Sequence, residues 1–289
     1  MNLQSLLLVD WIEVRHNNNE IRDFLSPTTV ARMLARLQKP ETWHLLRGIA
    51  KVGPSSDILP VRAAFGGGAT TNIAQCRIKS GPDTYYTIAD VVASFLLTGK
   101  MPEILETITL HPQGRVETRT KALFNDQCYT VDLTKDDLFV RLIDLWSEIK
   151  ADAKRAAQED RAYLEARQEA LKLIANSTAY GALVEYRDDE RARPRWATVW
   201  YGDEDECVRQ RAQKLEQPGA WFAGPVGVLI PAAGRLLLAT AERLATDRDM
   251  QHVFCDTDSL CFARPGAMDF PTFAAKTHEI VDWFTPLSP

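Results

Sequence analysis

With 289 residues, the chain is long enough for two modest domains or for one domain carrying a large insertion. Its apolar share of 45% and charged share of 25% are those of an ordinary globular protein. The formal charge of −5, from 34 basic and 39 acidic side chains, argues against a protein that wraps nucleic acid in a broad basic surface.

The five cysteines are scattered and form no C-x-x-C pair, so neither a zinc knuckle nor a disulfide framework is expected. No apolar run is expected to approach membrane-spanning length, since Leu6–Val9 is broken by Asp10. The first residues lack the basic-then-apolar order of a leader. The expectation is an intracellular protein with no membrane partner.

In chain order, residues 21–52 read as two helices. Ser26 suits an N-cap, Pro27 suits the first helical position, and Val30, Met33, Leu34 and Leu37 recur at helical spacing. Pro40 closes this helix and opens a second one with Trp43, Leu46 and Ile49 on its apolar face. Residues 54–57 are a loop. Residues 73–79 and 84–91 read as strands joined by the turn Ser80-Gly81-Pro82-Asp83. From Leu133 to Tyr180 there is neither glycine nor proline. Thr134 and Asp137 have the spacing of a capping box with Asp in place of Glu. One helix of that length is unusual, which predicts two antiparallel helices with a break within 156–161. Residues 186–195 read as a charged loop and 217–219 as a break. Residues 231–246 read as a helix that is apolar around most of its circumference and therefore buried. His252–Cys255 and Ser259–Phe262 flank Asp256-Thr257-Asp258, a hairpin of apolar strands with two carboxylates at its tip.

Three elements carry chemistry. In a strand, Asp256 and Asp258 share a face, and two carboxylates on one face call for a hard cation such as Mg²⁺. The same triplet also fits a solvated turn, or a metal site for a nucleotide-sugar diphosphate. Asp90 ends an apolar strand, as a structural cap or as a functional acid. Lys172, Asn176 and Tyr180 stand at i, i+4 and i+8, within one third of a helix circumference. That stripe offers a cation for a triphosphate and a ring for a base; a solvated face ending in a Gly181 cap is the plainer reading.

Together, Asp90-Val-Val-Ala-Ser-Phe95-Leu, Lys172-Leu-Ile-Ala-Asn176-Ser177-Thr-Ala-Tyr180-Gly181 and Phe254-Cys-Asp256-Thr257-Asp258-Ser259 resemble, in order, the motifs of the family B (alpha-like) DNA polymerases. Phe65-Gly66-Gly67-Gly68 and Ala233-Gly234-Arg235-Leu236 are similar to two further segments of that family. The resemblance spans about residues 60–262. It implies an α+β fold: an antiparallel-sheet polymerase palm with helices on one face and a two-helix fingers insertion. The implied organisation is an N-terminal helical region (1–60), a first palm segment (61–132), a fingers helix pair (133–181) and a second palm segment (182–289). Exonuclease and thumb are expected to be absent.

The activity so implied is template-directed transfer of a nucleotide from a dNTP to a primer 3′-hydroxyl on a primer-template DNA. Asp90, Asp256 and Asp258 would be catalytic. With the Val91 carbonyl they would hold two Mg²⁺ ions, Mn²⁺ being a substitute. The three carboxylates should then meet on one antiparallel sheet. Val91, Phe95, Lys150, Lys172, Asn176, Tyr180 and Thr257 would line the substrate. Missing exonuclease and thumb portions or a companion subunit would be partners, and the setting would be intracellular, at the nucleoid.

The chain departs from the family pattern at several positions. Phe95 replaces the ribose-gating Tyr. Trp146 falls where a fingers Arg is usual, leaving Arg141, Lys150 or Lys154 to compensate. The second motif has one extra residue, so a regular helix would put Ala179 in the register of the family's Tyr. A π-bulge between Asn176 and Tyr180 would restore the register and is the expectation. An inactive polymerase-like scaffold is the main alternative, and a metal-dependent nucleotide-sugar transferase using Asp256 and Asp258 is a remote one.

Overall fold

The computed structural model describes residues 11–26, 29–53, 61–65, 69–73, 85–114, 132, 136–177, 181–188, 195–201, 206–212, 216–220, 222–256 and 259–287. The first half forms β1 (Trp11–His16), α1 (Asn19–Leu25), α2 (Val30–Leu37), a 3-10 segment (Pro40–Leu46), β2 (Gly48–Val52), β3 (Val61–Phe65) and β4 (Ala69–Ile73). β5 (Tyr85–Thr87), α3 (Ile88–Thr98), β6 (Ile104–Gln113), α4 (Leu138–Arg155) and α5 (Gln158–Asn176) follow. The remainder forms β7 (Tyr186–Asp188), β8 (Arg195–Tyr201), β9 (Glu206–Ala212), β10 (Glu216–Pro218), α6 (Gly224–Gly227), α7 (Leu229–Thr246), β11 (Gln251–Asp256), β12 (Ser259–Ala263) and α8 (Phe270–Phe284). The class is α+β, with antiparallel pairing in β2–β5, β2–β6, β3–β4, β7–β10, β8–β9 and β11–β12. The chain divides into two compact units: one of residues 1–13, 111–194 and 213–230, the other of 14–110, 195–212 and 231–289.

The second unit is built on a sheet of order β1-β6-β2-β5. Residues 48–52, expected as the end of a helix, are its strand β2, and Gly48 shows why. A Cβ there would lie 2.3 Å from the Ile108 carbonyl oxygen of β6, an approach only glycine allows. The expected second helix shrinks to the 3-10 segment opened by Pro40, in which Trp43 Nε1 donates to the Leu37 carbonyl at 2.8 Å. Ser26 ends α1 instead of starting a helix. The N-cap of α2 is Thr29, whose hydroxyl accepts from Arg32 N; Pro27 lies outside the described residues.

The core of this unit joins Ile21 of α1, Met33 and Leu37 of α2, Ile88, Val91 and Leu96 of α3 and Leu236 of α7, all 0% exposed. Each such aliphatic side chain contributes about 1.5–3 kcal/mol by leaving water. The helical stretch Gly224–Thr246 is, by length and composition, apolar enough to cross a membrane, which corrects the expectation that no run approaches that length. Burial within the second unit takes up only part of that hydropathy. Ala232, Leu236, Ala239, Leu244 and Ala245 are in its core, but 28% of the apolar window is buried and Leu237 is 38% exposed, so the expectation of a largely buried helix is met only in part.

Helix α8 has no counterpart among the expected elements. Its N-cap is Asp269, whose carboxylate accepts from Thr272 N at 2.7 Å. Hydrogen bonds from the Thr272 side chain and backbone hold Asp269 below the usual carboxylate range. A carboxylate depressed on folding adds stability that is present above its unfolded pKa and lost as pH falls through the folded one. Asp269→Ala should therefore lower the melting temperature near neutral pH. The gap to wild type, followed by circular dichroism, should close as pH drops below the ordinary Asp range of about 4. A gap independent of pH would contradict this assignment.

In the first unit, α4 starts at Leu138, five residues later than the unbroken run suggested, because Asp137 accepts from the amides of Phe139 and Val140. Asp137 is thus the N-cap itself, not the partner of Thr134, which lies outside the described residues. The break between α4 and α5 falls at Ala156 and Ala157, inside the expected window. Leu138, Leu142, Leu145 and Ile149 form one stripe of α4 and close a core with Leu171 of α5. Residues 186–188, expected in a loop, pair as β7 with β10. The Tyr186 ring sits edge-on to Phe222 with centroids 4.8 Å apart.

Candidate functional site

The strand expected to run through Asp90 stops at Thr87, which caps α3. The Thr87 hydroxyl accepts from Asp90 N at 3.0 Å and donates to Asp90 Oδ2 at 2.8 Å. Asp90 thereby occupies the first turn of α3, where an acid suits the helix dipole. Its carboxylate is also gripped by Arg235 of α7. Nε meets Oδ1 at 2.7 Å and the second guanidinium nitrogen meets Oδ2 at 2.7 Å, a two-pronged, charge-assisted pair. The Asp90 side chain is 22% exposed and that of Arg235 is 52% exposed. Sequence reasoning put Arg235 within a palm-helix segment and missed this role. A signal was present: Arg235 is the only charged residue between Leu229 and Ala241. A lone charge on a half-buried helix needs a partner.

The two residues inferred beside Asp90 are packed away. Val91 is 0% exposed and Phe95 3% exposed, and both belong to the core of the second unit. In α3 the Val91 carbonyl lies in the helical interior, where the i→i+4 ladder uses it. The sugar-gate position inferred for Phe95 is, in this structure, a core position.

Asp256 is the last residue of β11, opposite Ser259, whose hydroxyl donates to the Asp256 carbonyl at 3.0 Å. A register shift between His252 and Phe254 marks a bulge, which bends and twists the hairpin below its tip. The hairpin is as expected from the sequence. Thr257 and Asp258 lie outside the described residues. Asp90 follows β5, an edge of the four-stranded sheet, whereas Asp256 stands on the separate two-stranded sheet β11–β12. The expectation that these carboxylates share one sheet is not met by the described strands.

Hard carboxylate oxygens at Asp90, Asp256 and Asp258 suit Mg²⁺ in chemistry. The Asp90 carboxylate fits such an ion only once Arg235 releases it. Among the described residues, no group of three His, Cys, Asp or Glu side chains forms a metal site.

In the first unit, Lys172 and Asn176 are exposed on the last turns of α5, and Leu171 beside them is buried. Tyr180 lies outside the described residues. The expected π-bulge falls on residues 178–180, outside the described residues; at the described end of α5, Ser177 N donates to the Ile174 and Leu173 carbonyls. Gly181 has φ −62° and ψ −49°, so it is not the left-handed helix cap of the plainer reading. Of the compensating cations, Lys150 Nζ lies 4.5 Å from the centre of the Trp146 ring, and Arg141 pairs with Glu148 at 2.6 Å. Lys154 is exposed.

Comparison of the chain with protein-family models, with curated proteins and with solved structures found no match.

Proposed function

We propose that the chain is the palm and fingers portion of a template-directed DNA polymerase that adds dNTPs to a primer 3′-hydroxyl. One observation carries the reading: Asp256 ends the first strand of the antiparallel hairpin β11–β12, where the third motif would need its carboxylate. Further support comes from Lys172, exposed on the second helix of the α4–α5 pair.

In this reading Asp90, Asp256 and Asp258 would hold a pair of divalent ions, Mg²⁺ or Mn²⁺, which would supply Lewis acidity at the primer hydroxyl and charge neutralisation at the phosphates. The chain's own groups do the positioning. Lys172 contacts the triphosphate as a point charge, Asn176 hydrogen-bonds beside it, and Tyr180 packs near the templating base. Arg235 moves off Asp90 before that carboxylate can serve. The setting proposed is intracellular.

The test is primer extension on a defined template with Mg²⁺ or Mn²⁺. Incorporation dictated by the template base is expected; incorporation without template, or none with either ion, would overturn the reading. Lys172→Ala should raise KM for dNTP about 10- to 100-fold, the worth of one charged hydrogen bond at about 1.5–3 kcal/mol. Its melting temperature should stay put, because Lys172 is exposed. An unchanged KM would remove Lys172 from the substrate site.

A second reading, a polymerase-like scaffold without catalysis, is favoured by the Arg235–Asp90 pair. Both carboxylate oxygens are bonded to a cation the protein already carries. It predicts that no extension appears even when Arg235 is replaced by Gln.

A further inference from the structure

Between the second and third motifs lies a two-stranded antiparallel ribbon, β8–β9, that sequence patterning did not reveal. Its strands pair with each other and with no third strand among the described residues. The register sets Trp196 opposite Arg211 and Thr198 opposite Arg209, so all four belong to one face. Trp196 is 62% exposed, an unusual cost for a large ring. The Arg209 guanidinium lies 5.8 Å from the centre of the Trp196 ring, within cation–π reach. Arg209 and Arg211 are both exposed, and neither has an ion-pair partner among the described residues. This face therefore presents an open aromatic ring flanked by two available guanidinium groups.

We propose that this face of β8–β9 binds single-stranded nucleic acid, an unpaired base stacking on Trp196 while Arg209 and Arg211 meet the adjacent phosphates. Stacking on an exposed ring with nearby cations is how proteins hold single strands without reading their sequence. An intact duplex has no free base face to offer the ring, so the unpaired strand is the better partner. An acidic peptide would satisfy the arginines and leave the ring exposed. Residues 195–212 as a whole are not basic, with Arg195, Arg209 and Arg211 against Asp203, Glu204, Asp205 and Glu206. The attraction would therefore be local to the Trp196–Arg211 end, several residues along the strands from the acids. Acidic residues also occur in this ribbon. Glu206 pairs with Tyr201 at its far end, away from the Trp196–Arg211 pair. The inference rests on the nucleic-acid half of the proposed function and not on catalysis.

The test uses the whole chain in EDTA, without nucleotide, and a short fluorescein-labelled oligothymidylate read by anisotropy. Trp196→Ala should weaken binding about tenfold or more, and Trp196→Phe should keep most of it, because a phenyl ring still stacks. Arg209→Gln with Arg211→Gln should lower affinity and reduce the slope of log K against log salt by about 0.7 per arginine. Far-UV circular dichroism of each variant checks folding. Wild-type affinity in Trp196→Ala would overturn the proposal, as would competition by polyglutamate equal to that of unlabelled oligothymidylate. Since neither metal nor primer is present, binding with these variant effects stands even if primer extension fails. Extension by a protein whose Trp196→Ala variant binds normally would sink this proposal alone.

Discussion

Replacing Asp258 with alanine is expected to reduce template-directed extension by on the order of 10³-fold, the scale seen when one preorganised electrostatic element is removed from a reaction centre. The argument starts from the hairpin. Asp256 ends β11 and Ser259 opens β12, with Asp258 between them in sequence. Far-UV circular dichroism of each variant checks that folding is spared, so that a lost charge is read as a lost charge. Asp258→Asn is the sharper comparison, because it keeps the shape and removes the charge. Equal loss in both variants, with unchanged melting temperature, is the expected pattern. Extension within a few-fold of wild type in Asp258→Ala would show that any activity arises elsewhere.

Arg235→Gln belongs in the same assay. If the ion pair holds Asp90 away from a metal, its removal should lower the Mg²⁺ concentration needed for half-maximal extension. If the chain is a scaffold, neither variant changes an already absent activity.

Phe95→Ala is expected to destabilise the protein by about 3–5 kcal/mol, the range for emptying a buried aromatic site. Phe95 is 3% exposed and packs in the core that includes Ile88, Leu96 and Leu236. Urea unfolding should show the loss as a lower midpoint. Leu237, 38% exposed on α7, is the control, and its replacement by alanine should cost far less. The outcome separates two roles. A ring that gates a sugar would, when trimmed, admit ribonucleotides at nearly normal stability. A ring that fills a core would lower stability first, and any change in sugar selectivity would follow from the loosened α3. The packing favours the second result.

Much of the local structure was legible in the residues. The α4–α5 break, the helix through Leu236 and the β11–β12 hairpin all follow from periodicity and breakers. These are short-range properties, set by a few neighbouring side chains and the backbone geometry they allow. Legibility failed where a partner distant in sequence decided the outcome. Residues 48–52 have no local reason to leave a helical pattern; they are a strand because β6 pairs with them and Gly48 lets it approach. The ribbon β8–β9 escaped notice for the same reason: its pairing, not either segment alone, defines it.

For the candidate site, the sequence by itself determined which residue types are available: three carboxylates, a lysine–asparagine stripe and their order along the chain. Only the tertiary structure decided the state of those groups. It bonds Asp90 to Arg235, 145 positions away, and buries Phe95 in a core, because ion pairing and packing depend on what a fold brings near, which no local pattern encodes.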